Sequence, residues 1–186
     1  MRKLAACCVI ACLSACGAVT PPPDTARLPP NAFGTYADGD IGAINASSWA
    51  FADPARTRNN PADAARAIAA VDYLAGELST SPRWDFMSPL TKMQMLQART
   101  EVRLAAGIAP NAPSQDVVDQ LLYASDALAA GNPQGAMAAM TPPTFTLPPG
   151  DTLARLASLP YLQEANVASM HAAMQSQPDS GGNFDR

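Results

Sequence analysis

The sequence predicts an all-α fold, a small irregular bundle of five to six helices behind a proline-rich N-terminal tether. Three observations carry this. Alanine is abundant while aromatic residues make up only 6% of the chain, which suits closely packed helices better than a sheet. A capping residue followed by proline recurs at Asn60-Pro61, Ser88-Pro89 and Asn132-Pro133, the usual device for starting a helix. And although the chain holds 18 prolines, none has to fall inside a helix for the apolar spacing to be satisfied.

Residues 1–15 read as a targeting signal. Arg2 and Lys3 give a positive start, and Leu4 to Leu13 form an apolar run of about ten residues, too short to span a bilayer as a helix and suited to the core of a secretory signal. The run ends Leu13-Ser14-Ala15-Cys16-Gly17. Leu13 supplies an apolar anchor, small Ser14 and Ala15 allow a backbone into a narrow protease groove, and Cys16 supplies a sulfur nucleophile. These residues resemble the lipobox of bacterial lipoproteins. The resemblance implies cleavage between Ala15 and Cys16, a diacylglyceryl group on the Cys16 thiol and an acyl group on its freed amine. It implies no other cofactor. All four cysteines (Cys7, Cys8, Cys12 and Cys16) lie in this segment, so the mature chain would keep only the lipidated one and need no disulfide. Several acyl chains hold a protein to a membrane where a single chain binds only marginally. Gly17, in place of an aspartate, implies the outer membrane, facing the periplasm, rather than the inner one.

Residues 16–39 are rich in proline, glycine and small polar residues and show no period, so they are expected to be a lipidated flexible linker. Largely extended, at ~3.1 Å per residue, it would hold the domain roughly 70 Å from the lipid. The helical domain is expected over residues 40–175. Ile41, Ile44, Ser48, Phe51 and Ala52 suggest a short helix. Pro61 opens one running to about Ser79, with Ala64, Ile68, Val71, Leu74, Ala75 and Leu78 on one face. Pro89 opens the next, to about Ala106. It carries Leu90, Met93, Leu96 and Leu104 on one side and Met95, Ala98, Val102 and Ala106 on another, which points to a central place in the bundle. Ser114 is expected to cap a helix to Ala130, with Val117, Val118, Leu121, Leu122, Leu128 and Ala129 inward. A short helix follows from Pro133 through Met140. "ALAAGNPQGAMAAM" resembles the turn of a tetratricopeptide repeat, yet nothing repeats at a period of about 34, so it is read as one helical hairpin. The proline-rich stretch after Thr141 must be extended. Asp151 is expected to cap a turn or two, and Pro160 to open a last helix to about Gln175. Residues 176–186 are expected to be a disordered tail.

Removal of Arg2 and Lys3 with the signal leaves ten basic against sixteen acidic residues. An acidic chain of this kind is a poor partner for nucleic acid, whose binding rests on neutralising phosphates. The one histidine, His171, lies two residues from Ser169 on a helix, the wrong side for a catalytic pair. No nucleophile elbow or glycine-rich phosphate loop is present, and cysteine and histidine are too few for zinc. The sequence therefore reads as non-enzymatic, with no catalytic residue assigned.

The residues that could do something else are few. Asp116, Asp119, Tyr123 and Asp126 share a helix face, with the aspartates spread over about 15 Å, too far to chelate one ion together. Lys92, Arg99 and Arg103 form a stripe, either a solvated edge or a docking strip for an acidic partner. Arg83, Trp84, Phe86 and Met87 sit in a connector, where they either plug the bundle end or form a contact patch. Arg83, Trp84, Phe86, Lys92, Arg99 and Arg103 are thus a candidate interaction surface. No metal site is expected. Met170, His171 and Met174 are the alternative: thioether and imidazole suit Cu(I), but core packing is the preferred reading of the two methionines.

The function expected is that of a membrane-anchored envelope lipoprotein acting without catalysis, as an interaction, scaffold or assembly protein with an envelope partner. A periplasmic Cu(I) carrier is the alternative, and a hydrolase whose site is not visible in the sequence is the third.

Overall fold

Three of the proline-opened helices start where a side-chain cap places them. In the computed structural model, which describes residues 23–35 and 38–177, Asn60 accepts from the Asp63 N–H to start α2 (Pro61–Thr80), and Ser88 accepts from the Thr91 N–H to start α3 (Pro89–Ala106). Asn132 does the same for α5 (Pro133–Ala139) through the Gly135 N–H. The other helices are α1 (Gly39–Phe51), α4 (Ser114–Ala129), α6 (Pro149–Ala157) and α7 (Gln163–Ser176). The all-α bundle thus has seven helices among the described residues, because the segment expected to make a turn or two is the nine-residue α6. Cys16, the expected signal at 1–15 and residues 178–186 of the expected tail lie outside the described residues.

The centre of the bundle is α2, not α3. Along α2, Ala64, Ala65, Ala67, Ile68, Ala69, Ala70, Val71, Leu74, Ala75 and Leu78 are all buried, and α1, α3, α4 and α6 pack around it. Its run of alanines leaves no bulk to hold those neighbours away, so they approach closely. Only one of the two apolar sides of α3 is fully buried, Leu96 of the other being partly buried against the core. Met95, Ala98, Val102 and Ala106 are buried, whereas Leu90, Met93 and Leu104 are exposed, Leu104 by 76%. The helices α4 and α5 form the single hairpin expected, turned at Gly131 with φ +71°.

The helix α7 lies antiparallel along α3. The Ser88 N–H donates to Gln175 Oε1 (2.9 Å), Gln94 Oε1 meets His171 Nδ1 (2.8 Å), and the Ala165 N–H donates to Glu101 Oε2 (2.9 Å). That last bond caps α7 from another helix. It lets α7 begin at Gln163, with Pro160 in extended chain before it, instead of at Pro160.

The tether expected over 16–39 is largely not a tether. Residues 23–35 lie against the bundle: Ala26 and Phe33 are buried, and Gln115 and Arg27 exchange two hydrogen bonds of 2.7 and 3.1 Å. The Arg66 guanidinium also donates to the Ala32 carbonyl at 3.0 Å. Gly76 of α2 is what allows this, since a Cβ there would stand 2.5 Å from the Asp24 carbonyl oxygen. Only six residues, 17–22, therefore separate Cys16 from the packed segment at Pro23, with a reach of at most about 25 Å.

Candidate functional site

The cationic stripe of α3 is built for two different purposes. Arg103 is 5% exposed and pairs with Asp72 of α2, which is fully buried, through bonds of 2.6 and 2.8 Å. Its remaining donors reach the carbonyls of Pro110 (3.0 Å) and Ala112 (2.9 Å) and the Ser114 hydroxyl (3.0 Å). All five N–H groups of the guanidinium are satisfied, so Arg103 leaves the candidate interaction surface and becomes a structural clamp. Arg99, one turn earlier, donates to the Asp24 carbonyl at 2.9 Å and to the Ser114 hydroxyl at 3.2 Å. Burial and the nearby charge of Arg103 lower its pKa. Lys92 is half-buried.

Ser114 shows why its expected capping role fails. Its hydroxyl accepts from both arginines, so it is the first residue of α4 and not its cap. The Ser114 N–H instead donates to Asp24 Oδ2 at 2.6 Å. A carboxylate from the N-terminal segment thus serves the positive end of α4.

Arg99 lines a groove of about 650 Å³ between α3, the loop after it, the Thr146-Leu147 stretch and α6. Leu96, Leu104, Ile108 and Leu147 give it apolar walls, and Arg155 stands at its edge. Gly107 closes α3 at φ +73°, and Leu147 packs so tightly on it that no Cβ would fit. That contact fixes the wall opposite α3. A second cavity of about 540 Å³ lies between residues 26–34 and α2, with Asp40, Tyr73 and Glu77 in its lining.

The connector residues divide between the two expected roles. Trp84 and Met87 are buried plugs, while Phe86 is exposed. The Trp84 indole N–H donates to Asp40 Oδ2 at 3.2 Å, Tyr73 donates to Asp40 Oδ1 at 2.5 Å, and Arg83 donates to Asp40 Oδ2 at 3.0 Å. Arg83 also pairs with Asp38, the cap of α1, and its guanidinium sits 4.8 Å from the centre of the Trp84 ring. The bond from Arg83 holds the Asp38 carboxyl below its usual range. Burial, then the hydrogen bond to the Asp40 carboxylate, pushes the Tyr73 hydroxyl well above its ordinary pKa. Arg83 and Trp84 thus lock the start of α1 to the end of α2.

Core packing does not hold for the methionine pair. Met170 and Met174 are exposed on α7, Met174 by 68%. Their side of the helix is left uncovered because α7 packs on α3 and α1 through Ala165, Ala168 and Ala172. His171 is held by Gln94, and Ser169 donates within its own helix to the Ala165 carbonyl at 2.6 Å. Sequence reasoning missed the exposure of Met170 and Met174 on α7, and of Leu90 and Met93 on its antiparallel neighbour α3. The signal was present in α3 as a helix apolar on two sides with only one side needed for packing.

The acidic face of α4 is solvated as expected, with Asp116, Asp119, Tyr123 and Asp126 exposed. Among the described residues, no group of three or more histidine, cysteine or carboxylate side chains is placed to hold a metal ion. No helix among them is long and apolar enough to cross a membrane. Comparison with family models, with curated proteins and with solved structures finds no match to this chain.

Proposed function

We propose that this chain is a bacterial envelope lipoprotein, acylated at Cys16 after cleavage behind Ala15, and that it works without catalysis by binding an envelope protein. Its place is the periplasmic side of a membrane, the outer membrane in preference to the inner. The observation that carries the binding half is the exposure of Leu90 and Met93 on α3 and of Met170 and Met174 on its antiparallel neighbour α7. Large apolar side chains left exposed in pairs on each of two packed helices offer a contact surface to a partner. The anchoring half rests on the lipobox resemblance of Leu13 to Cys16. The net acidic chain argues against nucleic acid as the partner.

A photo-crosslinking residue placed at Met93 or at Met174 in cells tests the binding half, with Asp119 on the acidic face as the control position. The same discrete adduct is expected from Met93 and Met174 and none from Asp119. No adduct at either methionine position, or the same adduct from all three, removes the reading. For the anchor, Cys16→Ser is expected to abolish incorporation of a fatty-acid analogue and to leave uncleaved precursor. Equal label in the two proteins removes it.

A second reading is favoured by the exposure of Met170 and Met174, which puts two thioethers four residues apart in reach of solvent. Two such soft ligands suit Cu(I), and a carrier of that ion is the alternative function.

A further inference from the structure

The groove beside α3 concentrates positive charge in an acidic protein. Its charged lining is Arg99, Arg103, Arg155 and Asp24. Arg103 is fully engaged by Asp72 and its other acceptors, and Asp24 is engaged by the Ser114 N–H. Arg99 and Arg155 remain. Among the described residues neither has a carboxylate within ion-pair distance. Arg99 uses only one of its terminal nitrogens, on a carbonyl and a hydroxyl. Arg155 reaches only the carbonyls of Leu104 and Ala105, at 3.4 and 3.5 Å. A guanidinium with no carboxylate in direct contact gains from a bound anion, most of all from a planar carboxylate that accepts two parallel bonds.

The rest of the groove is aliphatic. Leu96, Leu104, Ile108 and Leu147 line it, and Leu104, 76% exposed, is an apolar side chain that a ligand would take out of water. At about 650 Å³ the space falls within the range of sites that bury a small molecule. An anion alone would leave the aliphatic walls wet, and an alkane alone would leave the arginines unanswered. We infer that this groove binds a single acyl chain bearing a carboxylate, a long-chain fatty acid, with the chain along Leu96, Leu104 and Leu147 and the head group at Arg155 and Arg99. The inference goes beyond the proposed function and does not require Cys16 to be acylated.

The test uses the chain from Gly17 onward, which keeps every described residue and carries no acyl group of its own. Fluorescence of cis-parinaric acid is followed on titration, then on displacement by palmitate and by hexadecanol. Saturable one-to-one binding is expected, with palmitate displacing the probe and uncharged hexadecanol weaker by about tenfold or more, a difference of roughly 1.4 kcal/mol. Arg155→Gln and Leu104→Asp, both at exposed positions, should each weaken binding by a similar factor, while Met174→Gln, away from the groove, should leave it unchanged. The circular dichroism spectrum of each variant checks that it is folded, and if Leu104→Asp is not, Arg155→Gln decides alone. No saturable binding by the parent chain, equal displacement by hexadecanol and palmitate, or undiminished binding by folded Arg155→Gln would each overturn the inference.

Discussion

Arg103 and Asp72 meet in a two-bond ion pair between α3 and α2, both nearly removed from solvent. The pair is stabilising only as a unit, since desolvating each charge offsets much of what their attraction returns. Arg103→Ala would strand the Asp72 carboxylate in the centre of the bundle and is expected to destabilise by about 3–5 kcal/mol. The double variant Asp72→Leu, Arg103→Met should recover most of that loss. Urea unfolding of the three proteins checks both statements; a double variant no better than Arg103→Ala alone would contradict the coupling.

Gly76→Ala gives a prediction whose sign discriminates. On an uncovered helix surface the change should stabilise by up to about 1 kcal/mol, because alanine is the better helix former. Here the new methyl group would meet the Asp24 backbone. The variant is therefore expected to lose stability and to free the N-terminal segment, read as faster tryptic cleavage after Arg27. Increased stability with unchanged cleavage would mean that the segment is not packed on α2 in solution.

Tyr73 makes stability fall at alkaline pH. In the unfolded chain its hydroxyl ionises near pH 10, while in the fold burial and the Asp40 carboxylate hold the proton to higher pH. Above pH 10 the unfolded state therefore binds fewer protons than the native one, and unfolding becomes easier as pH rises. Tyr73→Phe should flatten this slope, while lowering stability at neutral pH by about 0.5–1.5 kcal/mol for the lost hydrogen bond. Thermal melts between pH 8 and pH 11, on parent and variant, check it.

Met170 and Met174 should tolerate polarity. Changing both to Gln is expected to shift stability by no more than about 0.5 kcal/mol each, whereas Met95→Ala in the core should lose about 2–5 kcal/mol. The same melts with Cu(I) under reducing conditions separate the two functional readings. Tight binding would stabilise the fold by about 2.7 kcal/mol at a hundredfold excess over the dissociation constant. No shift is expected, either in the parent or in the Met170→Leu, Met174→Leu double variant. A shift in the parent alone would favour the copper carrier.

What the sequence made legible was local. Asn60, Ser88 and Asn132 cap helices within three residues of themselves, so those starts could be read from neighbouring letters. The starts of α4 and α7 depend on Asp24 and Glu101, 90 and 64 residues away from the N–H groups they accept, and no window along the chain contains that information. Burial on α3 was equally hidden. Its two apolar sides are similar in composition, and nothing within the helix says which of them α2 and α7 will cover. The methionines of α7 misled for a related reason, because alanines filled the interface and left the larger side chains outside. The proline-rich stretch at 23–35 has the composition of a linker, and only the bare surface of Gly76 shows that it has a seat.

That seat changes what an anchored molecule can find. If Cys16 carries the lipid, six residues separate it from the packed segment instead of the twenty or more that the composition suggested. The fully extended reach shrinks about threefold, and the volume within that reach, which goes as the cube, by more than an order of magnitude. A partner lying in the same membrane would then face a higher effective concentration of the domain, with no contact added. A partner across the compartment would be out of range altogether. The glycine at position 76 would thus decide which neighbours the protein can meet, by deciding how far it can travel to meet them.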